Sequence, residues 1–87
     1  MNHLLIRQKV ADYDRWLAFH ESARTSQEVA GLQERNRFRN VNDPNEVFLL
    51  FSFKDLMKAE DYVARLDYPP HLEEAGVVDR PDSWFLT

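Results

Sequence analysis

The stretch ERNRFRNVNDPNEVFLLFSF, residues 34–53, decides the fold. Its second half, residues 46–53, is apolar at six of its eight positions, five of them successive, so an extended chain there has two largely apolar faces. A strand with two apolar faces is covered on both sides. The segment NDPN at 42–45 is typical of a turn, because Pro44 restricts its own φ and the Asn and Asp side chains can bond nearby backbone. Residues 32–53 therefore predict a β-hairpin with strands at 32–41 and 46–53.

The patterns on either side of this hairpin predict a strand and a helix in each flank. Alternation over residues 3–10 predicts a first strand, and Asp12 can cap a helix that ends near Val29. Asp55 can cap a second helix, which Pro69 and Pro70 stop, and a short helix then runs to Gly76. Residues 82–87 alternate again and predict the last strand. The order βαββαβ with right-handed crossovers predicts one α+β, ferredoxin-like domain over residues 1–87: a four-stranded antiparallel sheet with helices on one face.

The second apolar face of the third strand needs a cover that this chain does not supply. A domain of 87 residues without cysteine has no disulfides to add stability. A second copy of the chain can cover the face, sheet against sheet, about a two-fold axis. The sequence therefore predicts a homodimer that closes as a dimeric α/β barrel.

Composition narrows the classes of partner. A net charge of -4 disfavours nucleic-acid binding, which depends on neutralising phosphates. The N-terminus lacks a basic leader with a long apolar core, and no apolar run approaches the roughly 20 residues that span a membrane. These features predict a cytoplasmic protein with no membrane partner. The three histidines are far apart in sequence and suggest no local metal site.

Three segments resemble the dimeric α/β-barrel superfamily, in particular its antibiotic-biosynthesis-monooxygenase-like branch and the small cyclase-like proteins beside it. They are DYDRW at 12–16, FRNVNDPNEVFLLFSF at 38–53 and AGVVDRPDSWFL at 75–86. The resemblance implies a pocket between sheet and helices. It also implies a monooxygenase-like or cyclase-like enzyme that acts on a small aromatic or cyclic substrate without metal, flavin or other cofactor.

A related set of these proteins binds haem, with an Asn on the first strand, a Trp on the second helix and a nearby His. Tyr62 lies close to the position of that Trp, and His71 to that of the ligand. The first-strand position carries Arg7 or Gln8 instead of Asn, and two prolines precede His71. These departures argue against haem, which stays as an alternative to the cofactor-free enzyme.

The candidate site residues follow from this resemblance and from their chemistry. His20 can act as a base near neutral pH, and Tyr62 can orient a substrate. Arg37 or Asn40 can stabilise a developing oxyanion. The predicted substrate-binding side chains are Trp16, Trp84 and His71. Each also has a structural interpretation, since histidines are often half buried and hydrogen-bonded, and tryptophans often belong to a core or an interface.

Arg35, Arg37 and Arg39 occupy alternate positions of the second predicted strand. RNA recognition, a phosphate site and a carboxylate or phenolate ligand are three interpretations of this row. A fourth is structural: ion pairs with Glu34, Glu46 or acidic helix residues, with the alkyl stems covering apolar surface. The structural interpretation is favoured. The hairpin register stays open, and a slip of one residue exchanges the faces of Arg37 and Asn40.

Two functions remain from the sequence: the small enzyme, and a non-catalytic homodimeric ligand-binding or stress-related domain. The volume of the pocket distinguishes them. A cavity of a few hundred Å³ with convergent polar groups supports a ligand site. A cavity closed by the side chains of Trp16, Phe19 and Tyr62 counts against the enzyme in this form.

Overall fold

The computed structural model describes residues 2–87, which form a four-stranded antiparallel sheet and four helices. In chain order the elements are β1 (Asn2–Lys9), α1 (Tyr13–Ser22), α2 (Arg24–Val29), β2 (Gln33–Asn40), β3 (Asp43–Phe53), α3 (Leu56–Leu66), α4 (Pro69–Ala75) and β4 (Asp82–Leu86). The sheet order is β2-β3-β1-β4, with each neighbouring pair antiparallel. The predicted ferredoxin-like α+β fold is confirmed.

Local capping sets the helix boundaries. The Asp12 side chain accepts a hydrogen bond from the Asp14 amide, and Asp55 accepts one from the Lys58 amide. The single helix predicted from Asp12 to Val29 is wrong, because the chain leaves the helical conformation at Ala23 (φ -90°, ψ 5°). The Ser22 hydroxyl donates to the Phe19 carbonyl at 2.6 Å and competes there with the helical backbone. The break at Ala23 therefore divides the predicted helix into α1 and α2.

The core lies between the helices and one face of the sheet. Alternate residues of the two central strands point into it and are almost completely buried: Leu4, Ile6, Val10, Val47, Leu49, Phe51 and Phe53. Trp16 from α1 and Ala59 and Tyr62 from α3 pack against them. Burial of these apolar side chains is the main contribution to the stability of the fold.

The other face of the sheet, here called the open face, is apolar as well. Cross-strand partners place six apolar side chains on it: Leu5, Phe38, Phe48, Leu50, Trp84 and Leu86. Phe38, Trp84 and Leu86 are 54%, 46% and 44% exposed, respectively. The sequence-based prediction that β3 is apolar on both faces therefore agrees with the structure.

A bulge in β2 settles the hairpin register. The pairing shifts between Glu34 and Asn36, so Arg35 lies in the bulge and donates to the Ser52 hydroxyl at 3.0 Å. Arg37 stands opposite Leu49 and faces the helices, whereas Asn40 donates to Glu46 on the open face. The three arginines therefore do not form one continuous row.

The turn of the hairpin also differs from its prediction at 42–45. It lies at residues 41 and 42, and β3 begins at Asp43. The Asn40 side-chain oxygen accepts from the Asn42 amide at 2.8 Å and tightens the chain earlier than Pro44 would.

Candidate functional site

A small cavity lies between the helices and the buried face of the sheet. The polar and aromatic side chains that line it include Gln8, Trp16, Phe19, His20, Tyr62 and His71. Its volume is about 20 Å³. Since a cavity needs at least about 10–15 Å³ to hold a water molecule, this one has room for about one.

His20 is buried at the edge of this cavity, 8% exposed, and both of its ring nitrogens have partners. Nε2 lies 2.6 Å from a carboxylate oxygen of Glu34, and Nδ1 lies 3.3 Å from the amide nitrogen of Gln27. An amide nitrogen can only donate, so Nδ1 accepts and carries no proton in the neutral ring. The proton then lies on Nε2 and is donated to Glu34. His20 is thereby held as one tautomer, with a basic nitrogen beside Gln27.

Glu34 connects His20 to the sheet arginine that faces the helices. Its second carboxylate oxygen accepts from Arg37 at 2.8 Å, and Arg37 also lies 3.3 Å from Glu21 of α1. Partial burial lowers the pKa of Arg37, but hydrogen bonds with Tyr13 and Glu34 outweigh it, so the pKa is raised. The guanidinium stays charged and fixes the Glu34 carboxylate. The predicted pairing of strand arginines with acidic side chains is correct for Arg37.

Aromatic rings on α1 pack in sequence against one face of the His20 imidazole. Trp16 stacks on His20 with ring centroids 4.7 Å apart and planes at 14°, and Tyr13 follows at 5.7 Å from Trp16. The Arg39 guanidinium carbon lies 3.6 Å from the centroid of the Tyr13 ring. The Trp16 indole donates to the buried side chain of Gln8 at 2.9 Å. The tilt of the His20 ring is therefore set by packing.

Tyr62 brings a phenol to the same cavity from α3. Burial raises its pKa, while a hydrogen bond with Gln27 and the charge of Arg65 act in the opposite direction with smaller effect. The hydroxyl therefore stays protonated at neutral pH and can donate to an anion. Since Gln27 contacts both the phenol and His20, the two groups belong to one polar chain.

A second hollow, here called the outer cleft, adjoins the inner cavity. Ala23, Tyr62, Leu66 and His71 line both, while Ser26 and Arg65 line only the outer cleft. Its volume is about 140 Å³. His71 packs edge-on against Phe19 with ring centroids 5.3 Å apart. The shared side chains therefore form the partition between the outer cleft and His20.

The structure brings together some of the residues predicted from the sequence and separates others. His20, Tyr62, Trp16 and His71 line the inner cavity. Arg37 reaches it through Glu34. Asn40 and Trp84 lie on the open face, so the sheet separates them from His20.

Two partners of His20 had no distinct signal in the sequence. Gln27 follows His20 by two helical turns but reaches it because the chain breaks at Ala23. Glu34 was expected as an arginine partner, and its bond to His20 depends on the β2 register.

The small volume of the inner cavity argues against an enzyme that holds its substrate in a preformed pocket between sheet and helices. It is also far too small for haem, which needs several hundred Å³ of the kind typical for cofactor sites. Among residues 2–87, no group of three or more His, Cys, Asp or Glu side chains could hold a metal ion. Within the same residues, no helix is both long and apolar enough to cross a bilayer.

Solved structures with the same fold are found among antibiotic biosynthesis monooxygenases. A protein from Bordetella bronchiseptica, provisionally named as such an enzyme, superposes with a TM-score of 0.75 at 13% identity, covering 99% of this chain and 94% of that one. SnoaB from Streptomyces nogalater, a cofactor-independent oxygenase, gives a TM-score of 0.64 at 14% identity, with 99% and 90% covered.

The same fold also occurs in a protein without a known reaction. An uncharacterised NIPSNAP domain protein from Burkholderia xenovorans gives a TM-score of 0.63 at 13% identity, covering 100% of this chain and 93% of that one. No protein-family model and no curated protein matches the chain. The likeness to these structures establishes the ferredoxin-like fold alone, and function has to be argued from the site.

Proposed function

We propose that the protein is a homodimeric, cofactor-independent, monooxygenase-like enzyme whose small aromatic substrate enters through the outer cleft and is deprotonated by His20. One observation carries this proposal: a buried polar chain, Tyr62–Gln27–His20–Glu34–Arg37, ends at the floor of an aromatic-lined cleft. A buried base with a fixed tautomer and a charged partner is typical of an acid–base site. The name of SnoaB supports the reaction class by analogy of fold alone.

His20 Nδ1 is the atom that would take the proton. Its bond to Gln27 is long, at 3.3 Å, so a substrate hydroxyl or acidic C–H can replace the amide. The imidazolium that forms keeps its Nε2–H bond to Glu34, and this carboxylate stabilises the added charge. The Tyr62 hydroxyl then donates to the substrate anion.

Dioxygen is the second substrate in this scheme. A carbanion or phenolate formed at an acidic CH₂ group passes an electron to dioxygen, and the two radicals combine to a peroxide. The peroxide anion takes back the proton held by His20, and loss of water from the resulting hydroperoxide leaves a ketone. One oxygen atom ends in the product and the other in water, and the substrate supplies all the electrons. The side chains need to supply only the base, the orientation and the anion-stabilising donor.

A substrate in the outer cleft can reach His20 only after the side chains between the two spaces move. Tyr62, Leu66 and His71 separate the outer cleft from His20, and side-chain movement of Leu66 and His71 would join the two spaces. His71 is half buried on the seven-residue helix α4, which two prolines begin. A ligand that prefers the opened arrangement shifts the population towards it.

The homodimer is part of the proposal, with the open face as its interface. Phe38, Trp84 and Leu86 are exposed there beside Phe48 and Leu50. A second copy placed sheet against sheet buries these side chains, which is the usual reason for contiguous exposed apolar area. Asn40 and Trp84 would then belong to the interface. A cytoplasmic location stays a prediction from the sequence.

Oxygen uptake tests the proposed reaction. The substrates are aromatic phenols and ketones that carry an acidic CH₂ group, with one, two and three rings, the last represented by the ketone anthrone. At least one is expected to be oxidised, and His20→Ala should lower its rate at least about 100-fold, as loss of a general base does. Arg15→Ala is the control, because Arg15 is exposed on the same helix α1 and lines neither cavity. Equal rates in wild type and His20→Ala would refute the role of His20.

A second candidate function is ligand binding without catalysis. The inner cavity of about 20 Å³ favours it, because side chains fill the space beside His20 and a ligand bound in the outer cleft would not reach the base. Saturable binding of panel members without oxygen uptake would support this candidate and refute the enzyme.

A further inference from the structure

The outer cleft and the inner cavity, once joined, have room for one aromatic ring. The outer cleft and the inner cavity together amount to about 160 Å³. An apolar protein cavity of about 150 Å³ is known to hold one benzene molecule. Three fused rings need a volume nearer the several hundred Å³ of ordinary ligand pockets. The volume thus selects a monocyclic ligand with one small substituent.

The outer cleft has one positively charged lining side chain and no negative one. Arg65 lies at its rim, and neither Asp nor Glu is among the described residues that line the outer cleft or the inner cavity. Arg65 makes no ion pair with any residue between 2 and 87, while its guanidinium carbon lies 6.0 Å from the centroid of the Tyr62 ring. The arginine therefore has free donors directly beside the aromatic wall of the cleft.

From this size and charge we infer that the ligand is a single-ring aromatic carboxylate, held by Arg65 at the rim with its ring against Tyr62 and His71. The inference rests on the proposed function only in taking the outer cleft as the entrance to His20. Ser26 at the same rim can donate a further hydrogen bond to the carboxylate. A planar guanidinium binds a carboxylate through two parallel hydrogen bonds and stacks on rings, so both parts of the ligand are matched.

Arg65 also has a structural interpretation, since it lies in the last turn of α3 and a cation there stabilises the helix. The variant Arg65→Lys keeps that charge but loses the planar two-point contact. Arg65→Gln loses both. Arg15→Gln is a matched control, because Arg15 is an exposed helix arginine that lines neither cavity.

Isothermal titration calorimetry with three probes tests the inference: benzoate, neutral benzyl alcohol and 9-anthracenecarboxylate. Benzoate is expected to bind about three- to fivefold more tightly than benzyl alcohol, the difference that an ion pair with an exposed side chain such as Arg65 makes. The three-ring acid should bind more weakly than benzoate. Arg65→Gln should remove the preference for benzoate, Arg65→Lys should restore part of it, and Arg15→Gln should leave it unchanged.

Several outcomes would overturn the inference. They are no binding of benzoate, equal binding of benzoate and benzyl alcohol, tighter binding of the three-ring acid, and an unaltered preference in Arg65→Gln. Failure here can be told apart from failure of the proposed function. Oxygen uptake on a neutral or three-ring substrate would keep the enzyme and refute the carboxylate. Arg65-dependent benzoate binding without any oxygen uptake would keep the carboxylate ligand and refute the enzyme.

Discussion

Replacing Glu34 with glutamine is expected to destabilise the fold through one lost charged hydrogen bond. Glu34 accepts from His20 at 2.6 Å and from Arg37 at 2.8 Å, and its side chain is only 25% exposed. Glutamine keeps the shape but has a single acceptor oxygen, so it turns an N–H₂ group towards one of the two donors. A hydrogen bond to a charged group contributes about 1.5–3 kcal/mol, and partial exposure places this one near the lower end.

A loss of about 1.5 kcal/mol corresponds to a fall in Tm of about 6–12 °C for a domain of this size. Thermal unfolding followed by circular dichroism measures it. The control is Glu21→Gln, because Glu21 is 51% exposed and lies 3.3 Å from the same Arg37. Its loss should cost less than about 0.5 kcal/mol. Equal Tm values for the two variants would refute the claim that Glu34 holds His20 and Arg37 together.

Three further predictions concern the dimer and two ionisable groups. Trp16→Phe leaves Trp84 as the sole tryptophan, and acrylamide quenching of its emission should fall as protein concentration rises; quenching independent of concentration would contradict the sheet-to-sheet dimer. Because burial raises the pKa of Tyr62, urea-unfolding stability should fall as pH rises above about 10, and Tyr62→Phe should lessen this fall. Hydrogen bonds from Asn40 and Arg7 lower the pKa of Glu46, so the ionised carboxylate stabilises the fold above about pH 4.3 and this stabilisation is lost as pH falls below it. Glu46→Gln should lessen the fall in unfolding free energy at acid pH. An unchanged fall would contradict the assignment.

The order of the elements could be predicted because its signals are local. Asp12 and Asp55 cap their helices as predicted, and Gly76 ends α4 with φ 75°. Consecutive apolar residues in β3 give it two apolar faces, and this pattern predicted that the strand is covered on both sides. These features depend on residues within a few positions of one another, and tertiary contacts did not overrule them.

The register of β2 could not be predicted, and the placement of two candidate residues, Arg37 and Asn40, depended on it. The bulge at Arg35 has no glycine or other local marker in the sequence, and the contact of Arg35 with Ser52 lies across the hairpin. Once the register shifts there, Arg37 faces the helices and Asn40 the open face. Trp84 was predicted to line the pocket for a similar reason. Alternation shows that the two faces of a strand differ, but it does not show which face packs against the helices.

The partners of His20 are a tertiary property as well. Gln27 lies on α2, seven residues after His20, and contacts Nδ1 across the break at Ala23. Arg65 appears in the sequence as an ordinary helix-end cation, and only the surface of the folded chain shows that it borders a cleft without acidic side chains. Residue type and the family resemblance therefore suggested His20 and Tyr62 as candidates, and geometry was needed to find their partners.

The ring-nitrogen resonances of the three histidines test the central claim most directly, namely that a ligand in the outer cleft reaches His20. Long-range ¹H–¹⁵N spectra at pH 8 report which ring nitrogen carries the proton. In the free protein, His20 should carry it on Nε2. On titration with benzoate, His20 and His71 should shift together and saturably, while His3 on the open face stays unchanged. Shifts at His71 alone, or a proton on Nδ1 of His20 in the free protein, would contradict the account.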